Sequence, residues 1–397
     1  MKNEFLLLVF LWFTMSAANG QNLTTIDSTA LFVSGTEGYD TYRIPALVAT
    51  REGSLLAFCE GRKEGSGDAG NIDIVMKRSE DHGKTWSNLM ILWDDEGNTC
   101  GNPCPVVDQI TGEIHLLLTH NLGSDHESDI IRKSSQSTRT VWVMKSQDDG
   151  KSWSEPKEIT STTKKKEWGW YATGPGIGIQ IMHGPHKGRL VIPCDHSYDD
   201  PEGNVRNGPY EYGSHAIYSD DHGETWHLGG SIRPKVNECQ VVELADGNGT
   251  LLMNMRSYFG ENKRTHSVSY DGGLSWTRPY HVDELVEPVC QAAFMRFKWP
   301  GKISKSIILF LNPATSAGRR NMSLRISYDE GKTWPFIRTV FPGPSAYSSL
   351  TKLEDGRVAL LYEGGVENPY EGILYHTIDG LQSHTQRRGG KSVRNKK

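Results

Sequence analysis

Ser79-Glu80-Asp81-His82-Gly83-Lys84-Thr85-Trp86 is the first of five copies of one octapeptide, Ser-x-Asp-x-Gly-x-Thr/Ser-Trp. The others begin at Ser146, Ser219, Ser269 and Ser327, at spacings of 67, 73, 50 and 58 residues. Recurrence on this scale is the mark of a repeat architecture. Each position has a physical use. The short Asp carboxylate accepts backbone N–H bonds across a turn, Gly takes the left-handed dihedral, and Trp tucks the turn against apolar neighbours. The box therefore reads as a lock on a β-hairpin, and by itself it carries no chemistry.

The rest of the chain agrees with short strands and tight turns. Of 397 residues, 36% are hydrophobic, with 42 Gly, 18 Pro and 11 Trp, which disfavours long helices. No apolar run is long enough to span a membrane. Apolar runs precede each box, at 72–78, 140–145, 213–218, 265–268 and 322–326. Others lie at 55–59, 114–119, 189–193, 250–255, 306–311 and 358–362, separated by Gly, Pro, Asp and Asn turns. The box spacing implies about six units of four antiparallel strands each, with edges protected by radial closure. The expected fold is all-β, a six-bladed β-propeller with five Asp-box turns. A sixth unit without a box fits the region after Phe341, completed by the strand around Leu31. A two-sheet sandwich array is the alternative.

Lys2, the apolar stretch from Phe5 to Phe13 and the small exit residues Ala17, Ala18 and Gly20 read as a secretory signal peptide over residues 1–20. The expected location is outside the cytoplasm: secreted, periplasmic or lysosomal. Residues 21–385 form the expected domain, and 386–397 a basic tail. The last eleven residues hold six basic side chains and no acidic one, against a whole-chain charge of −5. Nothing points to nucleic-acid recognition. Six cysteines are too few for a disulfide scaffold, although Cys100 and Cys104 are close enough to bridge in an oxidising compartment. Cys100-Gly101-Asn102-Pro103-Cys104 alone lacks ligands for zinc, so no metal is expected.

Several residues do not follow the logic of strand filling. Arg43 sits between Tyr42 and Ile44-Pro45, Arg256 follows Leu251-Leu252-Met253, and Arg319 lies in a small-residue loop. In a propeller, arginines from different blades can meet on the central face, where they require an anion between them. Glu238 precedes an apolar strand, Tyr347 lies in a Pro/Gly-framed loop, and Asp68 sits in the Gly-rich loop 64–71. Histidines 120, 126 and 196 with Asp195 invite a triad reading, but no nucleophile elbow accompanies them. Trp168, Trp170 and Tyr171 divide between core and pocket wall, and Lys164–Lys166 reads as a solvated loop.

Tyr42-Arg43-Ile44-Pro45, the five boxes, Asn237-Glu238-Cys239-Gln240, Asn254-Met255-Arg256, Arg319-x-Asn321 and Ser345-Ala346-Tyr347-Ser348 together resemble the sialidase (neuraminidase) family of exo-glycosidases, over residues 31–375. The resemblance implies a triad of Arg43, Arg256 and Arg319 gripping a substrate carboxylate. It implies Tyr347 as nucleophile, Glu238 as its base and Asp68, rather than Asp73, as acid/base. Arg62 is implied as a further pocket residue and Glu363 as a support for Arg43. The activity implied is exo-α-sialidase hydrolysis of sialylated glycoproteins, glycolipids or oligosaccharides, without metal or organic cofactor. A phenol nucleophile suits a substrate with a carboxylate on its anomeric carbon, where a second carboxylate would be repelled. A binding propeller without turnover and a trans-sialidase are the rival readings.

Overall fold

A computed structural model describes residues 25–379 and Leu381. The expected signal peptide and basic tail lie outside these residues. The described chain is all-β, and its strands follow one another as antiparallel four-stranded meanders. The first joins Thr41–Ala49, Leu55–Arg62, Ile72–Ser79 and Met90–Trp93. The second joins Thr99–Val107, Ile114–Asn121, Thr140–Ser146 and Lys157–Glu158. The third runs Tyr171–Thr173, Leu190–Asp199, Tyr210–Ser219, His227–Ile232, and the fourth Val236–Glu243, Leu251–Ser257, Lys263–Ser269, Tyr280–Val286.

The fifth begins with Ala293–Lys298, Ile307–Pro313 and Arg320–Ser327 and borrows the first half of the long strand Phe336–Lys352. The second half of that strand opens a last meander with Val358–Gly364 and Gly372–Ile378. Its outer strand is Thr25–Val33, from the other end of the chain, as the position of Leu31 predicted. The innermost strands also touch across meanders: Leu47 and Ala49 donate their amides to Ser349 and Thr351 at 3.0 Å each.

The boxes and the pocket lie at opposite ends of the strands. Arg43 pairs with Glu60, and Arg62 with Ile72, whereas Leu55 pairs with Ser79, where the first box starts. In that box Asp81 accepts from Thr85 N (2.8 Å), Thr85 Oγ1 (2.6 Å) and Ser79 Oγ (2.9 Å), and Gly83 N donates to Ser79 Oγ. The same pattern recurs at Asp148, Asp221, Asp271 and Asp329. Two consecutive residues of each box take positive φ: His82 and Gly83 in the first, Glu330 and Gly331 in the last.

The lock reaches beyond its own hairpin. Trp86 meets Tyr375 edge-on at 5.2 Å, Trp153 meets Phe58 at 5.7 Å, and Trp226 meets His115 at 6.1 Å. Each Trp thus packs on the preceding meander, with the first box reaching the last. The box glycine is pressed there too, since a Cβ on Gly83 would lie 2.3 Å from the Tyr375 hydroxyl.

At the other end, the innermost strands break register. The breaks fall between Arg43 and Ala46, Gly101 and Cys104, Val236 and Cys239, and Ser345 and Ser348. An extra residue in one strand re-aims side chains, and Arg43, Asn102, Glu238 and Tyr347 all sit in or beside such a break.

Two readings need correction. Cys100 and Cys104 are free and buried, facing different apolar clusters from one strand, and all six thiols are free. Lys164 is not solvated: its Nζ is buried and donates to Thr138 Oγ1 (2.7 Å), Arg139 O (2.6 Å) and Gly169 O (2.7 Å). Burial, and then the nearby Arg139, push its pKa down to about 7. Lys165 and Lys166 are exposed, as expected. Among the described residues no helix is long and apolar enough to cross a membrane.

Candidate active site

Arg43 enters the site through a strained backbone. Ile44, β-branched, has φ 60°, and Pro45 follows inside the register break. Glu363 secures this turn with both oxygens. Its Oε1 accepts from Arg43 Nε (2.7 Å) and Ile44 N (2.9 Å), and its Oε2 accepts from Tyr347 N (3.0 Å). The carboxylate is fully buried, so it balances the Arg43 charge while fixing the backbones of both residues. Glu363 therefore pairs with Arg43 and also holds the Tyr347 backbone.

The Tyr347 hydroxyl donates to Glu238 Oε1, and Arg256 Nη1 donates to Glu238 Oε2 at 2.7 Å and lies 3.3 Å from the phenol oxygen. Burial, then the Glu238 charge, raise the Tyr347 pKa well above that of a free phenol. The resting phenol is therefore neutral, with its proton directed at Glu238. Arg319, at the end of its loop, donates to the Tyr370 hydroxyl at 2.8 Å. Its guanidinium lies 5.4 Å from the Tyr347 ring centroid, and that of Arg43 lies 5.1 Å from the same ring. The three arginines thus surround one phenol. Among the described residues Arg319 has no carboxylate partner, which leaves positive charge unbalanced there.

Arg62 lines the pocket, but its guanidinium is largely committed. Nε and Nη2 donate to Glu60 Oε2 at 2.9 and 2.6 Å, and Nη1 meets Ser66 O (2.5 Å), Gly67 O (2.8 Å) and Asp68 Oδ1 (2.8 Å). It is a clip for the loop that carries Asp68. The Asp68 side chain itself is 61% exposed at the mouth, open to an incoming group. Burial of its surroundings works to raise the Asp68 pKa, but Arg62 and then Arg43 outweigh it and hold the carboxyl below its usual range. Asp73 is buried, accepts from the Tyr39 hydroxyl at 2.6 Å, lies 3.0 Å from Lys63 and does not line the cavity described below.

These groups line a cavity of about 360 Å3. Every expected site residue reaches it except Glu363, which lies beneath. Its walls add residues not singled out before: Glu60, Asn102, Glu127, Arg139, Tyr212, Tyr258 and Tyr370. Arg139 is buried, stacks on Trp170 at 3.9 Å and donates to Asn102 Oδ1 (2.6 Å) and Thr119 Oγ1 (2.9 Å). Trp170 is the pocket wall of its segment, whereas Trp168 is core, stacked on His196 at 3.6 Å. His196 pairs with His215 rather than with a nucleophile (Nδ1 to Nδ1, 3.1 Å), which disposes of the triad reading. Asp195 lines the cavity with one donor, Asn237 Nδ2 at 2.9 Å, and burial, then Glu238 and Glu127, raise its pKa well above normal.

Residues 53–360 match the BNR repeat-like domain. Over 371 residues the chain is 33% identical to a sialidase of Micromonospora viridifaciens, covering 88% of this chain and 54% of that protein. It is 30% identical over 393 residues to sialidase-3 of Mus musculus, covering 87% of this chain and 93% of the relative. Among solved structures it superimposes on the Hadza microbial sialidase Hz136 with a TM-score of 0.76 at 30% identity, over 90% of this chain and 69% of that one. The chain therefore spans about half the length of the Micromonospora relative and nearly all of the mouse one. At 30% identity or more to these sialidases over most of its length, the chain belongs to the sialidase family.

Proposed function

We propose that this chain is an exo-α-sialidase that hydrolyses terminal sialic acid from glycoproteins, glycolipids or oligosaccharides, with retention of configuration through a tyrosyl intermediate. The observation that carries the reading is the buried Tyr347–Glu238 pair among three arginines. Arg43, Arg256 and Arg319 take the substrate carboxylate, which supplies the negative charge this cluster lacks. The Tyr347 oxygen attacks the anomeric carbon as its proton passes to Glu238. The glycosidic C–O bond breaks, and Asp68 protonates the departing oxygen. Water then attacks the same carbon, giving its proton to Asp68, while the phenol leaves and recovers its own from Glu238.

The charge arrangement gives the acid step its timing. In the free site Arg62 and Arg43 hold Asp68 below its usual pKa. A bound carboxylate would offset the Arg43 charge, so substrate binding raises the Asp68 pKa toward the range a general acid needs. We further take residues 21–385 as one domain, a closed six-bladed propeller of the meanders described above, exported after removal of residues 1–20. Proton NMR of sialyllactose hydrolysis tests the central reading. The α-anomer of free sialic acid as first product supports it, and the β-anomer first, or no release, overturns it. Product analysis of a fluorogenic sialoside with and without lactose separates hydrolysis from transfer.

A further inference from the structure

Beneath the Tyr347–Glu238 pair lies a buried hydrogen-bond arrangement that takes no part in the chemistry proposed above. Gln291 is 1% exposed, and its amide grips both backbone groups of Ser348, the residue after Tyr347. Nε2 donates to Ser348 O at 2.9 Å, and Oε1 accepts from Ser348 N at 2.9 Å. The same Nε2 donates to Pro175 O at 2.9 Å. Gln240, also 1% exposed and two residues beyond Glu238, reaches the same carbonyl at 3.1 Å. Its Oε1 accepts from Ile177 N (3.1 Å), and Cys239 N points at Gly174 O (3.4 Å).

The Gly174–Pro175 segment is thus a bridge. One side holds the strand that presents Glu238, the other holds the strand that presents Tyr347, and both attach to one carbonyl oxygen. Both presented residues sit at register breaks, where the strand ladder does not define their aim. A carboxamide suits the task because it offers donors and an acceptor together, as a neighbouring strand would. We propose that Gln291 is a positioning residue, with Gln240 as its counterpart, setting the separation of Tyr347 and Glu238 through the shared Pro175 carbonyl.

The proposal rests on the nucleophile reading above, so the test keeps the two apart. A 2,3-difluorinated sialosyl fluoride, a probe that accumulates a covalent glycosyl-enzyme, is applied to the whole protein, and the labelled peptide is mapped by mass spectrometry. Label on Tyr347 of the unaltered protein upholds the nucleophile; label elsewhere, or none, defeats that reading first. Given Tyr347 labelling, Gln291→Met preserves side-chain volume and removes the amide. The expected result is a labelling rate reduced by roughly 10²-fold, the cost of an ångström-scale misplacement, with the probe's dissociation constant within about threefold of normal. Gln240→Met should act in the same direction, and the double variant should lose less than the product of the two, because both work through one carbonyl. Should Gln291→Met fail to fold, Gln240→Met alone carries the test. Labelling at the normal rate in a folded variant overturns the proposal. So does weakened probe binding with an unchanged labelling rate.

Discussion

Glu363 and Arg43 form an ion pair 2.7 Å long across 320 residues of sequence, with side chains no more than 6% exposed. The pair joins the strand opening the first meander to the second strand of the last, and Glu363 also accepts from Ile44 N and Tyr347 N. Glu363→Gln would leave the buried Arg43 charge unbalanced and set an amide N–H against one of three donors. Breaking such a pair costs about 3–5 kcal/mol. Urea unfolding should show that loss, and KM for an anionic sialoside should rise because Arg43 is no longer fixed. Unchanged stability would show that the charge is compensated elsewhere.

Tyr347→Phe removes one oxygen from a side chain whose ring stays packed between Arg43 and Arg319. Folding should survive, since the ring keeps its contacts. The turnover number for sialosides should drop by at least ~10³-fold, on the scale seen when a catalytic nucleophile is lost. A folded variant retaining a tenth of normal turnover would exclude Tyr347 as the attacking group.

Much of this was legible in the sequence, for physical reasons that differ by residue. The Asp boxes mark the end of every third strand in five meanders because a Ser-x-Asp-x-Gly turn has few ways to satisfy its own amides. Arg43 and Arg256 stood out because a charged group beside apolar strand residues needs water or an anion, whereas Tyr347, in a Pro/Gly-framed loop, stood out only through the family resemblance. Glu60, Asn102 and Arg139 did not stand out. Glu60 reads as a strand residue, and it becomes a site residue only when it accepts from Asn102 N at 2.8 Å across a meander boundary. The breaks that aim the pocket were also hidden, although Pro45 and Pro103 sit inside two of them, where a strand cannot keep its ladder. Val236–Cys239 breaks with no proline at all, and only the paired strand reveals it.

Arg62→Gln separates the loop clip from the pocket wall. Arg62 is the strongest of the arginines holding the Asp68 pKa down. Removing that charge raises the pKa, so the protonated acid persists to higher pH. The alkaline limb of kcat for a substrate with a poor leaving group should therefore move to higher pH, even as the loosened loop lowers the plateau. For an activated aryl sialoside, which needs little protonation, the limb should move less. A downward shift, or equal behaviour of both substrates, would contradict Asp68 as the proton donor.

The boxes make a separate prediction about acid. Hydrogen bonds from Thr85 and Ser79 overcome the effect of burial and bring Asp81 down to about 2, and the Ser152 side chain heads the donors that bring Asp148 to about 2. An unfolded Asp titrates near 3.9, roughly two units higher. A depressed folded pKa contributes stability above the unfolded value, and that contribution disappears as pH falls through about 4 to about 2. Asp81→Asn should therefore lower the melting temperature at pH 6, and the gap to the unaltered protein should close near pH 2. Gly83→Ala should also destabilise, for another reason: its methyl would meet the Tyr375 hydroxyl, and φ 83° disfavours any side chain. Its gap should not depend on pH. A pH-independent deficit in Asp81→Asn would mean that the box holds by shape alone, and that the carboxylate charge adds nothing to the lock.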